Sequence, residues 1–595
     1  MTADRATRPA GTLDLPHDIP CLAPSLSGLE LHGGPSSGPF LVTGARGEVT
    51  GDRRSPGGTV TIDGIARLAR FEGGHGVAAN LTLFPGVARR EFVGREGTWL
   101  ESIVVAPALP FVVLQWGTQG GLAPRRIEFD LLTSDRSGRP EVGDRGLVSE
   151  DATGDGVAMA VSAEGTTIEV LEGTSGILRV VVRTAGVGPV SLVVAAGTPA
   201  ERRAGFTAAA HLQGHTIRAA EGPASHGLTL ATGVSEIDDG VAWARARLRH
   251  TIDRLTWGNS DSVASSERSI VSPLVFMTGL AAAAVGDREG TRHAFSASGI
   301  RDSAERSLLA ARLASVFGDA SHALRVARDR TEVNESARPG AGPQAELQAL
   351  AGRALADGLR YSAPEALIAG LRRERGSSRG GALPMVGRKE ASPTLAAWLA
   401  SLLSGEPTSS SPSIGAAKIQ AMRGTCGRFR TDPDTAWGDW RAALSAGLSG
   451  GPSGPGTWDT TDAGADSDSL TAVLLLALTQ GLLGLEPDAP AGRIRIAPRL
   501  PSHINGFTVA GITLGDASIG MRYTRDGTTH QFVLTPDIAP VPPLVVFEPA
   551  VVGRIREIRI DGEAADLHVR RLGTSTVAPV QIPIDGVRTM EITTA

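Results

Sequence analysis

The chain has 595 residues, too many for one hydrophobic core, so several domains are expected. With 58 Lys and Arg against 63 Asp and Glu, its formal charge of −5 argues against a nucleic-acid binder that relies on a broad basic surface. Gly (75) and Pro (37) are abundant but fall short of low-complexity disorder. Lys389 and Lys418 are the only Lys, so nearly every cation is Arg, a skew that first suggests coding bias. Cys21 and Cys426 cannot build a disulfide framework or a zinc cage. The N-terminal segment has no apolar h-region, so no signal peptide and a cytoplasmic chain are expected.

Residues 1–235 carry short apolar runs cut by Gly and Pro: Gly58–Gly64, Ala78–Pro85, Phe111–Gly117, Ile177–Arg183 and Val190–Ala196. Such runs, with Arg125–Leu131 alternating polar and apolar, predict an N-terminal β-sandwich. In 236–256 the period changes. Ile237, Val241, Leu248, Ile252 and Leu255 share one helical face, which predicts a linker helix.

Residues 257–486 are expected to be helical, with candidates at 271–286, 302–317, 321–329, 343–358, 363–375, 393–404, 434–447 and 467–484. Asp319 or Ser321 suits the cap of the helix that follows. The apolar run Leu470–Leu485 is interrupted by Thr471, Thr479 and Gln480 and suits a buried helix better than a membrane span. Residues 487–595 return to β, with Arg493–Ile496, Gln531–Leu534, Leu544–Phe547 and Ile555–Ile560 as strands. Asp526-Gly527 and Asp561-Gly562 are hairpin signals.

The order sandwich, helix, helical domain, sandwich resembles bacterial (α/α)6-barrel glycoside hydrolases and phosphorylases: glucoamylase-like, maltose-phosphorylase-like and glycogen-debranching enzymes. Three segments carry the resemblance. Leu478–Pro501 is similar to the junction where the last barrel helix enters the C-terminal sandwich. Phe84–Phe92, Trp99–Ser102 and Val113–Trp116 look like the N-terminal supersandwich. Ser298–Asp319 resembles the barrel helix that starts with an Arg-Asp-Ser/Ala motif. The resemblance implies a six-hairpin helical barrel, either complete or shortened, since eight candidate helices are fewer than the class carries. It also implies that Asp302, beside Arg301, bonds sugar hydroxyls at the pocket floor.

Glycoside hydrolysis needs two carboxylates, one to protonate the leaving oxygen and one to act on water or on the sugar. Glu332 and Glu335, after one helix, are candidates for the acid; Asp459 and Asp462, before the last helix, are candidates for the base. The competing reading is that acidic residues at helix starts answer the backbone dipole. Trp257, Trp437, Trp440 and Trp458 all lie in the helical region; Trp437 and Trp458 are the proposed sugar-stacking platforms, although Trp437 and Trp440, at i and i+3, also suit a core. The sequences Gly447-Leu-Ser-Gly-Gly and Gly34-Pro-Ser-Ser-Gly fit a nucleophile elbow but lack its strand–helix context. His211 and His215 have the spacing of metal ligands without the Glu of the metalloprotease motif.

The reading is therefore a glycoside hydrolase acting on an oligo- or polysaccharide without cofactor or metal. No nucleic-acid or membrane partner is expected, and a homodimer is the assembly entertained. The alternatives are a non-catalytic sugar-binding or scaffold relative and, ranked last, a polysaccharide lyase, because the helical region holds only Tyr361 as a Tyr base.

Overall fold

The computed structural model describes residues 29–30, 39–43, 46–72, 76–84, 87–94, 97–106, 109–117, 126–133, 140–143, 146–150, 156–163, 165–171, 176–185, 188–211, 227–257, 268–296, 303–334, 343–373, 425, 428–429, 431–449, 465–538, 543–565, 568–572 and 575–595. The chain forms two compact units, Met1–Ser225 with Ser449–Thr457, and His226–Leu448 with Trp458–Ala595.

The first unit is a sandwich of two antiparallel sheets. One has nine strands, with Val77–Phe84, Val87–Gly94, Gly97–Val105, Phe111–Gly117, Val190–Gly197 and Gly156–Ser162 adjacent at its centre. The other has seven, centred on Arg126–Leu132 and Ile65–Glu72. The strands expected at 78–85, 111–117, 177–183 and 190–196 are all present. Asp63 and Gly64 both have positive φ, at 55° and 74°, so the turn between Thr59–Ile62 and Ile65–Glu72 is of the type that matches strand twist. The sequence reading has no helix before 235. Pro199–His211 is nevertheless a helix, laid on Val190–Gly197 and Gly156–Ser162 through Ala208 and Ala209.

One ion pair ties the two sheets together. Arg90 and Glu101 face each other across neighbouring strands, and neither side chain is exposed. Arg90 Nε donates to Glu101 Oε2 at 2.7 Å, and one Nη2 hydrogen joins it there. Nη1 donates to the carbonyls of Asp52 (2.6 Å) and Ser55 (2.7 Å), and Nη2 to that of Gly57 (3.1 Å). All five guanidinium donors are thus used, three of them on the loop after Gly47–Asp52 of the opposite sheet. Trp116 Nε1 donates to Glu101 Oε1 at 3.1 Å, and Phe40 and Phe92 flank the guanidinium at 4.7 and 5.1 Å.

In the second unit, one hydrophobic core runs from Leu228 to Ile592 and joins the helices to the C-terminal strands, crossing position 486, where the sequence reading draws a boundary. The C-terminal part contains a seven-stranded sheet centred on Ala517–Asp526 and Thr529–Ile538. It also has a four-stranded sheet in which Arg493–Ile496 runs parallel to Leu544–Phe547, and a three-stranded one. Asp561 and Gly562 again both have positive φ, at 51° and 87°, in the expected hairpin turn.

The helices fall into two kinds. Arg268–Ala284, Ser303–Phe317, Pro343–Leu359 and Ala465–Leu476 are buried on most sides where their side chains are described, as a helix enclosed by others must be. In space they form an arc in the order 465–476, 268–284, 303–317, 343–359. Ser235–Trp257, Arg288–Ser296, Ala320–Asn334, Glu365–Arg373 and Pro433–Ser449 are amphipathic and pack outside them. Ser235–Trp257 is the expected helix, but not as a free linker: Ile237, Val241, Ala244, Leu248 and Ile252 bury it against Arg268–Ala284 and Ala465–Leu476. Arg288–Ser296 was not expected, and the candidate helix 393–404 lies outside the described residues. Asp319 Oδ1 accepts from the Ser321 backbone N–H at 3.3 Å, as the capping expectation has it. The helices thus pack in an inner and an outer layer, and among the described residues the inner layer is an arc of four. No described helix is long and apolar enough to cross a membrane.

Glu101→Gln leaves the Arg90 charge buried without its counter-charge. It is expected to destabilise the first unit by about 3–5 kcal/mol, read as a lower urea midpoint by Trp fluorescence. Glu128→Gln, at a half-exposed pair with Arg126, is expected to cost under about 1 kcal/mol.

Candidate functional site

Hydrogen bonds and ion pairs hold one end of the described helices of the second unit beside the C-terminal part or the short strand Thr229–Ala231 that pairs with it. Ser235–Trp257 starts beside Thr229–Ala231, which pairs with Gly506–Leu514. Arg268–Ala284 ends beside Leu228, whose N–H donates to Val285 O at 2.8 Å. Arg288 donates to Gly515 O at 3.0 Å and to Asp516 at 2.7 Å. Gly515 N–H donates to Val316 O at 2.6 Å, at the turn between Ser303–Phe317 and Ala320–Asn334. Arg360, in the turn between Pro343–Leu359 and Glu365–Arg373, pairs with Asp488. Asp434 accepts from Ser502 N–H at 2.6 Å, which holds the start of Pro433–Ser449. Arg499 N–H donates to Leu482 O at 2.7 Å, past the end of Ala465–Leu476.

The opposite ends therefore share one face, away from these strands: Trp257, Arg268, Ser296, Ser303, Asn334, Pro343, Ser449 and Ala465. The four inner helices all begin there, and the outer ones all end there.

Of the candidate residues, Glu332 lies in the last turn of Ala320–Asn334, at this face. Arg301, Asp302, Glu335, Trp458, Asp459 and Asp462 lie outside the described residues. Trp437 corrects the sequence reading. It is 4% exposed, its ring stacks on that of Trp440 with centroids 5.0 Å apart, and Trp440 is anchored by Nε1 to Leu474 O at 3.0 Å. The i, i+3 spacing serves the core, and no face of Trp437 is left for a sugar. Among the described residues no group of three His, Cys, Asp or Glu side chains could hold a metal. His211 ends the Pro199–His211 helix, and His215 is outside the described residues.

The strongly shifted titratable groups of the described second unit are structural. Asp319 is held down at about 2 despite its burial, by bonds from Ser321 and Arg292 and by nearby His322. In the C-terminal sheet, burial and then the Arg525 charge push His530 down to about 4, while burial pushes Tyr523 up to about 12. Their side chains meet at 3.0 Å, Tyr523 Oη to His530 Nδ1, and His530 Nε2 is buried without a partner.

No protein-family model matches the sequence, and no curated protein matches it. Among solved structures, the chain is similar to an α-L-rhamnosidase from Dictyoglumus thermophilum at 9% identity and a TM-score of 0.38, over 90% of this chain and 66% of that one. The chain thus spans just under two thirds of the rhamnosidase's length. It is also similar to a family GH92 α-mannosidase from Bacteroides thetaiotaomicron, solved with mannoimidazole (9%, 0.31, 86% and 85%), and to a GH127 β-L-arabinofuranosidase from Geobacillus stearothermophilus T6 (11%, 0.28, 60% and 71%). All three are glycoside hydrolases. At these scores no residue role passes from them to this chain.

His530 is neutral when folded and protonated when unfolded between about pH 4 and 6.5. The unfolded chain therefore binds more protons in that window, and stability rises with pH across it by on the order of 3 kcal/mol. Urea midpoints measured from pH 4 to 7 are expected to climb, and His530→Gln is expected to flatten the climb.

Proposed function

We propose that the chain binds an oligo- or polysaccharide at the open face of its helical layer and hydrolyses a glycosidic bond there with paired carboxylates. The supporting observation is the common direction of the inner helices. In sequence, Arg301 and Asp302 directly precede Ser303, Glu335 directly follows Asn334, and Trp458, Asp459 and Asp462 precede Ala465, so each candidate is a sequence neighbour of a helix end of the face at which Glu332 lies.

In this reading Glu332 or Glu335 is the acid that protonates the leaving oxygen, and Asp459 or Asp462 is the base or nucleophile. Arg301 and Asp302 bond sugar hydroxyls, and Trp458 supplies a stacking face. The arc of inner helices is the described part of an (α/α)6 barrel of the glucoamylase-like or debranching-like kind, flanked in sequence by two sandwiches. No cofactor enters the scheme, and the reading carries a cytoplasmic location with it.

The test pairs binding with turnover. Calorimetric titration with malto-, gluco- and rhamno-oligosaccharides is expected to give binding to at least one, with release of reducing ends. Among Glu332→Gln, Glu335→Gln, Asp459→Asn and Asp462→Asn, one member of each pair is expected to lower kcat by about 10²–10⁴-fold while binding persists. Binding without turnover in the native chain would return the non-catalytic sugar-binding relative. Silence across the panel would remove the carbohydrate reading.

A further inference from the structure

At the other ends of the inner helices, where they meet the C-terminal strands, lies a narrow cavity with room for one or two occupants of water size. Most of its wall is apolar, including Leu280 and Ile494, and its polar lining is Arg312, Gln480, Thr479 and Thr513. The two hydroxyls have already spent their hydrogens. Thr479 Oγ1 donates to Leu475 O at 2.8 Å, and Thr513 Oγ1 to Gly511 O at 3.2 Å.

The other two groups have not. Among the described residues, neither the Arg312 guanidinium nor the Gln480 amide has a hydrogen-bond partner. The nearest carboxylate that acts on Arg312, Glu486, does so only at a distance, because it is bonded to Arg495 at 2.7 Å. A guanidinium offers five donors and no acceptor, and a partly buried one without a counter-charge is costly. The carbonyl of Val316, a lining residue, accepts the Gly515 N–H.

Gln480, which lines the cavity, sits in a local irregularity. Residues Ala477–Leu482 form a π-helical segment, in which Leu483 N–H bonds Leu478 O at 3.0 Å, five residues back. Such segments are less favourable than α-helix, and they are commonly retained where a side chain has a task. Here that segment bears an unpartnered donor that lines a cavity whose other unpartnered group is a cation.

We infer that Arg312 and Gln480 form a site for a small monovalent anion of halide size. The inference stands apart from the proposed hydrolase, because the cavity is at the opposite ends of the inner helices from the open face. An anion that accepts from both donors neutralises the guanidinium, needs no donor of its own, and fits a space too small for a sugar or a phosphate ester.

The experiment uses the full chain. Thermal unfolding in sodium chloride is expected to rise by about 2 °C over equal ionic strength of sodium gluconate once chloride exceeds its dissociation constant about tenfold, along a saturating curve. Arg312→Met is expected to erase the difference between the salts, and Gln480→Leu to shift the curve to higher chloride. Crystals of the native chain soaked in sodium bromide are expected to give an anomalous peak between Arg312 and Gln480, a readout that does not depend on either variant folding. The same unfolding temperature in both salts, no bromide peak at this position, or a chloride response that survives Arg312→Met would each overturn the site. The first two outcomes would mean that the cavity holds water.

Discussion

The carbonyls at the end of a helix have no partner within the helix and must find one elsewhere. In the second unit they find it on the C-terminal strands and the turns that lead to them: Val285 O on Leu228, Val316 O on Gly515, Leu482 O on Arg499. Side chains do the same work at the other helix ends of that face, through Arg288, Arg360 and Asp434. Together these contacts hold one end of the described helices beside the C-terminal part. This makes the inner helices parallel to one another and antiparallel to the outer ones, and it leaves all their starts on the face that the sandwich does not cover. The helical layer and the C-terminal sandwich therefore share a core, because each supplies what the other's chain ends lack.

Arginine does much of the remaining anchoring, and this gives the near absence of Lys a structural use. Arg495 spans Glu486 and Glu548, each at 2.7 Å, and Arg570 joins Glu548 at 2.8 Å. Arg46 grips both oxygens of Asp63 at 2.8 Å while pairing with Glu201. A planar fork suits such bidentate contacts, and an ammonium does not. Arg90 is the extreme case, with all five donors matched at zero exposure. Arg312 differs from these in having no hydrogen-bond partner among the described residues, as does the buried Nε of Arg67.

Much of the fold was legible because local period and core burial agree. Leu308, Leu309, Leu313 and Val316 are spaced to enclose a helix, and Ile494 and Ile496 alternate with Arg on a half-exposed strand. Arg288–Ser296 escaped notice because its sequence, Arg-Glu-Gly-Thr-Arg-His-Ala-Phe-Ser, carries only Ala294 and Phe295 as an apolar stripe. Pro199–His211 escaped notice because Ala and Arg give little contrast between its faces inside a β-rich region. At the candidate site, the sequence shows which residues bear the right chemistry but not which indole is free: Trp437 and Trp440 read equally as platform and as core, and packing decided for core. Arg312 and Gln480 were invisible for a different reason. They lie 168 positions apart in sequence, and only the folded chain shows that both line one cavity.

The direction of the helices also bears on how the proposed carboxylates would divide their labour. A helix carries roughly half a positive charge at its start and half a negative charge at its end, felt within about one turn. In sequence, Glu332 falls in the last turn of Ala320–Asn334 and Glu335 directly follows it, and the end of a helix is the pole that disfavours a negative charge. Asp462 precedes Ala465 by three residues, and Asp302 immediately precedes Ser303. Both thus lie in sequence just ahead of inner-helix starts, the pole that favours a negative charge. A glycosidase needs this asymmetry, a carboxyl that stays protonated opposite one that stays charged. In the proposed scheme the up-and-down packing would supply it: the acid candidates belong in sequence to the end of an outer helix, and the charged carboxylates to the starts of inner ones.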